Sequence, residues 1–353
     1  MKIVSVVGAR PQFIKCAVVS SKLRKVAEEI LVHTGQHYDH EMSGVFFDEL
    51  RLPAPNYHLE VGSGSHGWQT GQMLLKIEEV LATEKPDWIL LYGDTNSTLA
   101  GALAAAKLHM KVAHVESGLR SFNRIMPEEI NRVVVDHLSS LLFCPSETAV
   151  NNLAREGIVR GVHVVGDVML DVLLRALPLA EGRSRILSTL GLSKSGFLLA
   201  TIHRPENVDH PARLANIARA FNSLNEIIVF PVHPRTRKMI EENAVVWSPH
   251  VRLIEPLGYL DMITLEKSAR IVLTDSGGMQ KEAYWLGVPC LTLRDDTEWV
   301  ETIESGWNKL VGSETSQIIE AVHTFESPAT RWSLYGDGSA AGHIATILTS
   351  GGG

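Results

Sequence analysis

The sequence predicts an α/β fold with two Rossmann-like domains. Short, almost continuously apolar segments alternate with helical patterns along the chain, which is typical of parallel sheets covered by helices on both faces. A chain of 353 residues is also longer than one hydrophobic core usually supports. A polar, arginine-rich stretch after Asp167 separates a first series of strands and helices from a second. We therefore expect one domain over 1–167 and another over 168–332.

In the first half, the strand Trp88–Tyr92 shows no polar alternation, which indicates burial on both faces. The predicted strands of this half are Lys2–Val7, Ile30–His33, Trp88–Tyr92, Lys111–Val115 and Leu141–Cys144. The predicted helices are Phe13–Val26, Met42–Leu50, Gln69–Ala82, Thr98–Leu108 and Pro127–Leu138.

The second half opens with the helical stretch Leu177–Leu192. Its predicted strands are Phe197–Thr201, Ile227–Pro231, Val251–Ile254, Ile271–Thr274 and Pro289–Leu293, each followed by a helical pattern. Neither half carries the G-x-G-x-x-G fingerprint of dinucleotide-binding folds, since the first turn is Gly8-Ala-Arg-Pro-Gln-Phe13. We therefore expect no cofactor.

Composition and charge exclude several classes of partner. The formal net charge of −7 opposes binding to nucleic acid or to an anionic membrane surface. No apolar run approaches the roughly 20 residues that span a bilayer, and a strand that begins at Lys2 leaves no room for a signal peptide. Cys16, Cys144 and Cys290 lie far apart, in no metal-binding or redox spacing. We expect a cytoplasmic protein with free thiols and no bound metal.

The stretch Leu273–Glu282 predicts an anion site. An apolar strand ends at Asp-Ser-Gly-Gly and a helical pattern begins, so unpaired N–H groups and the positive end of the helix dipole face a ligand. Such a turn suits a phosphate or pyrophosphate, and Glu282 lies one turn further on, where it can accept hydrogen bonds from ribose hydroxyls. The alternative is an ordinary turn in which Ser276 caps the helix.

Carboxylates follow successive strands of the first half, where ligands bind in open α/β sheets. Asp94, Glu116 and Glu128, opposite His203 across a cleft between the domains, predict acid/base chemistry. Two of them also fit purely structural roles, because Asp94 suits a helix cap and Glu128 follows a proline in the first helical turn.

Cationic and imidazole groups follow other strand ends. Arg10 and Lys15 begin the first helix, while His233 and Arg294 follow strands of the second half. With the Ser-Gly-Gly turn, Arg10 and His233 are suited to holding an anion beside the carboxylates. The histidines His33, His37 and His40 predict a loop rather than a metal site, since no carboxylate or cysteine completes a ligand pattern.

Together these motifs resemble the non-hydrolysing UDP-N-acetylglucosamine 2-epimerase family, in the order of that family and nearly from end to end. The matching segments are Gly8–Lys15, Thr34–His37, Gly93–Thr98, His114–Arg120, Pro127–Arg132, Ile202–Asn207, Leu273–Gly278 and Tyr335–Gly338. The resemblance implies a fold similar to that of glycosyltransferase-B enzymes and a final helix, at about 333–353, packed on the first domain. It also implies a homodimer.

The resemblance further implies that the enzyme inverts C2 of a UDP-activated 2-acetamido sugar, converting UDP-N-acetylglucosamine to UDP-N-acetylmannosamine. UDP would leave by anti elimination to give a 2-acetamidoglucal and then add again. Asp94, Glu116 and Glu128 would be the sugar-site carboxylates, with either Glu116 or Asp94 exchanging the C2 proton, and His203 would approach the departing diphosphate. The implied substrate-binding residues are Arg10, Lys15, Arg132, His233, Tyr259, Ser276, Gly277, Gly278, Glu282 and Arg294.

Three departures from the family pattern bear on the substrate. Many members have Thr-Glu-Arg-Pro-Glu where this chain has Thr297-Glu298-Trp299-Val300-Glu301, and the segment after Gln36 lacks a second glutamine used in allosteric binding of substrate. Several segments are closer to members that act on UDP-2,3-diacetamido-2,3-dideoxyglucuronate. A uronate needs a cation, for which Arg120, Arg124 and Arg204 are candidates. A hydrolysing epimerase, a glycosyltransferase and a nucleotide-sugar sensor are further alternatives.

Overall fold

The computed structural model describes residues 1–36 and 53–350, without the side chain of Arg10. The chain forms two compact units, one from Met1–Leu174 with Ser333–Gly353 and the other from Arg175–Trp332. None of the described helices combines the length and the apolar composition of a membrane-spanning segment.

The first unit contains a fully parallel sheet in the order β3-β2-β1-β4-β5-β6-β7. Its strands are β1 (Lys2–Val7), β2 (Glu28–His33), β3 (Tyr57–His58), β4 (Trp88–Tyr92), β5 (Lys111–Val115), β6 (Leu141–Cys144) and β7 (Val162–Val164). The helices that alternate with them are α1 (Arg10–Leu23), α2 (His66–Glu84), α3 (Asn96–Lys107), α4 (Pro127–Leu138), α5 (Glu147–Arg155) and α6 (Val168–Arg183).

Apolar side chains cover both faces of this sheet. Helix α2 buries Met73, Ile77, Val80 and Leu81, which have the spacing of one helix face. They join a core cluster that includes Leu91 of the central strand β4. Strand β4 is buried along its whole length. Polar side chains follow it at the carboxyl-terminal end of the sheet.

The second unit contains another fully parallel sheet, in the order β10-β9-β8-β11-β12-β13. Its strands are β8 (Leu198–Thr201), β9 (Ile228–Pro231), β10 (Val251–Ile254), β11 (Ile271–Thr274), β12 (Cys290–Thr292) and β13 (Asn308–Leu310). Its helices are α7 (Ile186–Thr189), α8 (Pro205–Val208), α9 (Pro211–Ser223), α10 (Pro234–Glu242), α11 (Tyr259–Ser268), α12 (Gly277–Leu286), α13 (Val300–Glu304) and α14 (Thr315–Thr324).

The last helix, α15 (Ala340–Thr349), returns to the first unit and packs on α1. The Asp171 carboxylate accepts hydrogen bonds from the N–H groups of Ala340 (3.2 Å) and Ala341 (3.0 Å), which lie at the start of α15. A carboxylate there balances the positive end of the helix dipole. Gly166 has φ of +88°, and a Cβ on it would lie 2.8 Å from the Tyr335 carbonyl oxygen, so this crossing requires glycine.

The predicted α/β fold with two Rossmann-type sheets is confirmed, while several element bounds differ. The short strands β3, β7 and β13 were not predicted, because two or three residues give no measurable periodicity. Helix α6 begins at Val168 rather than Leu177 and continues through Pro178, a residue that is typical of a first helical turn. The predicted helix Met42–Leu50 lies outside the described residues.

A buried ionic network fixes the segment that follows β5. Asp136 of α4 accepts hydrogen bonds from Arg120 Nη1 (2.7 Å) and the Gly118 N–H (3.0 Å), and its other oxygen lies 2.7 Å from His114 Nδ1. Arg120 also donates to both carboxylate oxygens of Glu156. Burial alone would raise the pKa of Asp136, but the hydrogen bonds and charges of His114 and Arg120 outweigh it and lower that pKa.

Asp136→Asn should reduce the free energy of unfolding by about 3 kcal/mol at neutral pH, because it leaves the buried Arg120 without one of its carboxylate partners. Urea titration measures the change. The folded-state pKa of Asp136 lies below its ordinary value. The contribution of its carboxylate to stability is therefore present at neutral pH and is lost as the pH falls below the ordinary pKa and through the lower folded-state pKa. The difference from wild type should therefore shrink in acid.

The matched control is Glu242→Gln, which removes a carboxylate from the exposed pair with Lys238 and should change stability little. An Asp136→Asn variant as stable as this control would contradict the assigned role of the network.

Candidate active site

The turn between β1 and α1 is fixed by Gln12. Its Oε1 accepts hydrogen bonds from the N–H groups of Gly8 (2.8 Å) and Ala9 (3.0 Å), and its Nε2 donates to the Tyr92 carbonyl (2.7 Å). The side chain therefore ties the end of β1 to the end of β4, at the point where the strand order of the sheet reverses. Ligands of open α/β sheets bind at such points. Arg10 begins the helix here, but its side chain lies outside the described part.

Lys15 and Glu116 form an ion pair between the Lys15 ammonium and Glu116 Oε2 at this edge of the sheet. Their side chains are 9% and 13% exposed, so the pair is largely withdrawn from water. Glu116 has φ of +70°, a left-handed conformation that is unusual for a residue with a side chain. Backbone strain of this kind clusters at functional sites. Gly93 lies against the pair, since a Cβ built on it would be 3.4 Å from Glu116 Oε2.

Arg132 of α4 connects two further carboxylates. Its Nη2 lies 2.7 Å from Asp94 Oδ2, and its Nη1 lies 3.0 Å from Glu129 Oε2. Asp94 does not cap a helix, because Thr95 is the N-cap residue of α3. Burial favours a higher pKa for Glu129, but hydrogen bonds from the N–H groups of Ser121 and Phe122 and the charge of Arg132 lower it. The Asp94 carboxylate thus contacts a guanidinium and remains partly exposed.

Glu128 and Glu129, which are adjacent in α4, differ in solvent exposure. Glu128 is exposed in the first helical turn, whereas Glu129 is 2% exposed and held by the Ser121 segment. An exposed carboxylate in the first turn of α4 suits both a catalytic role and a favourable interaction with the helix dipole. The sequence did not identify Glu129, because neighbouring acids at a helix start look equivalent until one of them is buried.

The three arginines proposed to bind a uronate carboxylate differ in their exposure and in their partners. Arg120 is wrong as a candidate, because its guanidinium is buried and bound to Asp136 and Glu156. Arg124 is exposed, and Arg204 of the second unit is partly exposed at 3.7 Å from Glu298 Oε1.

In the second unit, β8 and β11 are neighbours in register, with Thr201 opposite Thr274. The strand order reverses between them, as it does between β1 and β4. His203 follows the first of these strands and Ser276 follows the second, so both lie at the predicted kind of ligand site. His203 Nδ1 lies 3.1 Å from Asp275 Oδ1.

Ser276 is the N-cap of α12, and its hydroxyl accepts a hydrogen bond from the Met279 N–H (3.5 Å). The capping alternative is therefore correct, and it leaves the first N–H groups of the helix available to an anion. A Cβ on Gly277 would lie 2.5 Å from Glu298 Oε1 and 3.1 Å from Trp299 Nε1, whereas a Cβ on Gly278 would make only an ordinary contact with Ser276 Oγ at 3.8 Å. Gly277 thus permits the close approach of Glu298.

Arginine side chains surround this turn. Arg294 is buried, with Nη1 3.0 Å from Glu298 Oε2 and Nη2 3.0 Å from Asp296. Glu298 therefore lies between Arg294 and Arg204, beside the turn that is predicted to bind phosphate. His233 lies further along the sheet edge, after β9, where it is exposed and its Nδ1 accepts from the Arg235 N–H (3.3 Å).

Tyr259 and Glu282 are brought together, with the phenol donating to Glu282 Oε1 at 2.8 Å. Glu266, on the same helix as Tyr259, is fully buried, and within the described part of the chain neither of its carboxylate oxygens has a hydrogen-bond partner. Burial and the charge of Glu282 raise the pKa of Glu266.

Of the three histidines near the amino terminus, the structure describes His33. The ring of His33 stacks between Phe13 (centroids 4.8 Å apart) and His58 (4.3 Å), and its Nδ1 accepts from the Gly35 N–H. Burial, followed by the charge of His58, lowers the pKa of His33 to about 4. His37 and His40 lie outside the described residues.

Comparison with known proteins identifies the family. A family model described as UDP-N-acetylglucosamine 2-epimerase matches residues 21–349. The chain belongs to the UDP-N-acetylglucosamine 2-epimerase family. The resemblance predicted from the ordered motifs is thereby confirmed, together with the class of isomerase that the motifs implied.

Relatives in this family are similar to the chain over its whole length. A UDP-N-acetylglucosamine 2-epimerase homolog of Methanococcus maripaludis is 56% identical over 354 residues, which are 99% of each chain. A UDP-2,3-diacetamido-2,3-dideoxy-D-glucuronate 2-epimerase of Pseudomonas aeruginosa is 49% identical, again over 99% of each. The crystal structure of Methanocaldococcus jannaschii UDP-GlcNAc 2-epimerase, in complex with UDP-GlcNAc and UDP, has a TM-score of 0.92 at 45% identity, covering 99% of this chain and 100% of that one.

Gly277→Ala should destabilise the second unit by about 1–3 kcal/mol, because its methyl group would collide with Glu298 and Trp299. Thermal unfolding without ligand measures the effect. Gly278→Ala is the matched control, since the nearest side-chain atom to its Cβ is Ser276 Oγ at 3.8 Å. Equal melting temperatures for the two variants would refute the proposed packing of Glu298 on the turn.

Proposed function

We propose that this chain is a non-hydrolysing epimerase that inverts C2 of UDP-N-acetylglucosamine, giving UDP-N-acetylmannosamine. The observation that carries the proposal is that two carboxylates, each in an ion pair, follow the neighbouring strands β4 and β5. Asp94 pairs with Arg132, and Glu116 pairs with Lys15. The names of relatives that match the chain from end to end support the same activity.

The chemistry explains why carboxylates are needed. C2 of a 2-acetamido sugar has no adjacent carbonyl, so its proton leaves readily only when the bond from C1 to UDP breaks at the same time. A positioned carboxylate takes the proton as a general base, and negative charge near C1 stabilises the oxocarbenium-like centre. Glu116 or Asp94 takes the proton, and the other stabilises C1. Returning the proton to the opposite face as UDP adds again inverts C2.

The second unit supplies the groups suited to retaining UDP. The Ser276 turn offers helix N–H groups, and Arg294 and Arg204 place positive charge beside it. Glu282, bonded to Tyr259, provides the acceptor for ribose hydroxyls. His203 serves the departing diphosphate. Retention of UDP is what distinguishes epimerisation from hydrolysis, because a released nucleotide cannot add again.

The second candidate substrate is UDP-2,3-diacetamido-2,3-dideoxyglucuronate, which is favoured by the relative of that name at 49% identity. It needs one more cation for its carboxylate, and Arg204 and Arg124 remain as candidates. Mechanism and catalytic residues are the same for both substrates. A homodimeric state, which the resemblance implies, remains a prediction.

Incubation with UDP-N-acetylglucosamine in deuterated water should introduce deuterium at C2 while the sugar stays attached to UDP. Proton NMR of the recovered nucleotide sugars follows the exchange and the appearance of the second epimer. Free sugar and UDP as main products would indicate hydrolysis and overturn the proposal. The same assay on the diacetamido uronate compares kcat/KM, and a preference for the uronate above ~100-fold would replace the substrate.

Glu116→Gln should slow C2 exchange by about 10²–10⁴-fold, as expected when a positioned acid/base group is removed. UDP affinity, measured by calorimetry, should stay within a few-fold, because Glu116 belongs to the sugar-directed set. Asp94→Asn, measured in parallel, identifies the base. Wild-type exchange in Glu116→Gln together with its loss in Asp94→Asn would assign the proton to Asp94.

A further inference from the structure

Asp275 holds the segment that carries His203. It is fully buried at the end of β11, and its Oδ1 and Oδ2 each accept a hydrogen bond from the His203 N–H at 3.1 Å. Oδ2 also accepts from the Arg204 N–H and from Asn207 Nδ2, both at 3.1 Å. One carboxylate at the end of β11 thus fixes the backbone that follows β8.

Asn207 connects the same segment to other parts of the second unit through further hydrogen bonds. Asn207 Nδ2 also donates to the Leu293 carbonyl at 2.8 Å, and Arg213 Nε donates to Asn207 Oδ1 at 3.1 Å. Asn207 is therefore bound at both ends of its amide, and it adds one bond to an Asp275 carboxylate that the N–H groups of His203 and Arg204 already hold. The imidazole extends from this buried frame, with 46% of its side chain exposed.

The ring of His203 completes the contact, since its Nδ1 lies 3.1 Å from Asp275 Oδ1. We propose that Asp275 is the positioning residue of His203, accepting a hydrogen bond from Nδ1–H so that Nε2 is the nitrogen presented to the ligand. The role in catalysis rests on the proposed function, whereas the tautomer itself does not. A carboxylate ion has no hydrogen to donate, so the shared proton belongs to the imidazole nitrogen.

The ionised state of Asp275 is supported by its surroundings. Burial favours a higher pKa, but the hydrogen bond and charge of His203 and the further bonds from Arg204 and Asn207 lower the pKa of Asp275 below its ordinary value. A carboxylate, an oriented imidazole and an outward nitrogen form the arrangement in which a histidine transfers protons efficiently. The negative charge also stabilises the ring when it becomes positively charged.

In the proposed elimination, the bond from C1 to the diphosphate oxygen and the C2–H bond both break as the C1–C2 double bond forms. The C2 proton passes to a carboxylate of the first unit, and the C1–O electron pair passes to the diphosphate. In this step the His203 ring is the doubly protonated imidazolium, with Nδ1–H bound to Asp275 and its positive charge balanced by that carboxylate. Its Nε2–H donates a hydrogen bond or its proton to the diphosphate oxygen, and loss of that proton leaves the neutral Nδ1–H tautomer. The reverse steps take place when UDP adds again.

The first test determines the tautomer in the ligand-free protein. Long-range ¹H–¹⁵N spectra of protein labelled with ¹⁵N-histidine, recorded at about pH 9 where imidazoles are neutral, distinguish Nδ1–H from Nε2–H. The His203→Gln variant assigns the signals by their disappearance. The expected result is Nδ1–H in the wild type. A neutral ring protonated at Nε2 would overturn the proposal, whatever substrate the enzyme uses.

The second test is Asp275→Asn, compared with Asn207→Ala. The asparagine amide can donate to Nδ1, so the tautomer should change to Nε2–H, and kcat should fall by about 10²–10⁴-fold with UDP affinity within a few-fold. Asn207→Ala removes another bond to Asp275 without touching the ring, so it should keep the wild-type tautomer and kcat within a few-fold.

These outcomes separate positioning from simple support of the loop. Equal losses of kcat in Asp275→Asn and Asn207→Ala, with the Nδ1–H tautomer kept in both, would overturn the positioning role. If Asp275→Asn does not fold, the tautomer of the wild type still decides the proposal. Failure of epimerisation with a confirmed Nδ1–H tautomer would instead reject the proposed function alone.

Discussion

The parallel pairing of the central strands is the constraint on which the candidate site depends. In one sheet β1 lies beside β4, and in the other β8 lies beside β11, and the strand order reverses at each of these pairs. At each reversal, the chain leaves one strand toward one side of the sheet and leaves the neighbouring strand toward the other side. A crevice therefore remains at the carboxyl ends of the two strands, where ligands bind in open α/β sheets. Backbone hydrogen bonds between the strands therefore set the separation of the side chains that follow them. Gln12 in one unit and Asp275 in the other add side-chain bonds across the same strand pairs.

Most carboxylates around these edges are held by specific partners, and the partner indicates the role. Asp136 is fully buried among donors and serves the framework, as its contacts with His114 and Arg120 show. Asp94 and Glu116 also have cationic partners, yet they lie at strand ends and keep some exposure. A buried charge without a partner is costly, so each cation lets a carboxylate remain ionised away from bulk water. Exposure at a strand end, rather than ion pairing itself, separates the functional candidates from the structural ones.

The sequence was sufficient for the fold class, because long apolar strands and amphipathic helices have clear periods. It was also sufficient for the order of the motifs, and hence for the family. It did not reveal the partner of a charged side chain, because partners come from distant positions: Arg132 contacts Asp94 across 38 positions of the chain, and Asp275 contacts His203 across 72. Arg120 illustrates the consequence, since it looks like a ligand-binding cation until its contacts with Asp136 and Glu156 are known. For Asp275 the sequence suggested no role in the site, yet its carboxylate contacts both the backbone and the ring of His203, a predicted catalytic residue.

Trp299, at a position where many family members have arginine, contacts a buried lysine through the face of its ring. Lys281 of α12 is buried, and its ammonium lies 3.6 Å from the centroid of the Trp299 ring. An ammonium over an indole face is attracted by the ring quadrupole, which offsets part of the cost of burying the cation. The same indole has its N–H close to Gly277, so the ring lies between the Ser276 turn and the buried lysine. Trp299 thus packs behind the turn with one part of its indole and presents its aromatic face to the Lys281 ammonium with the other.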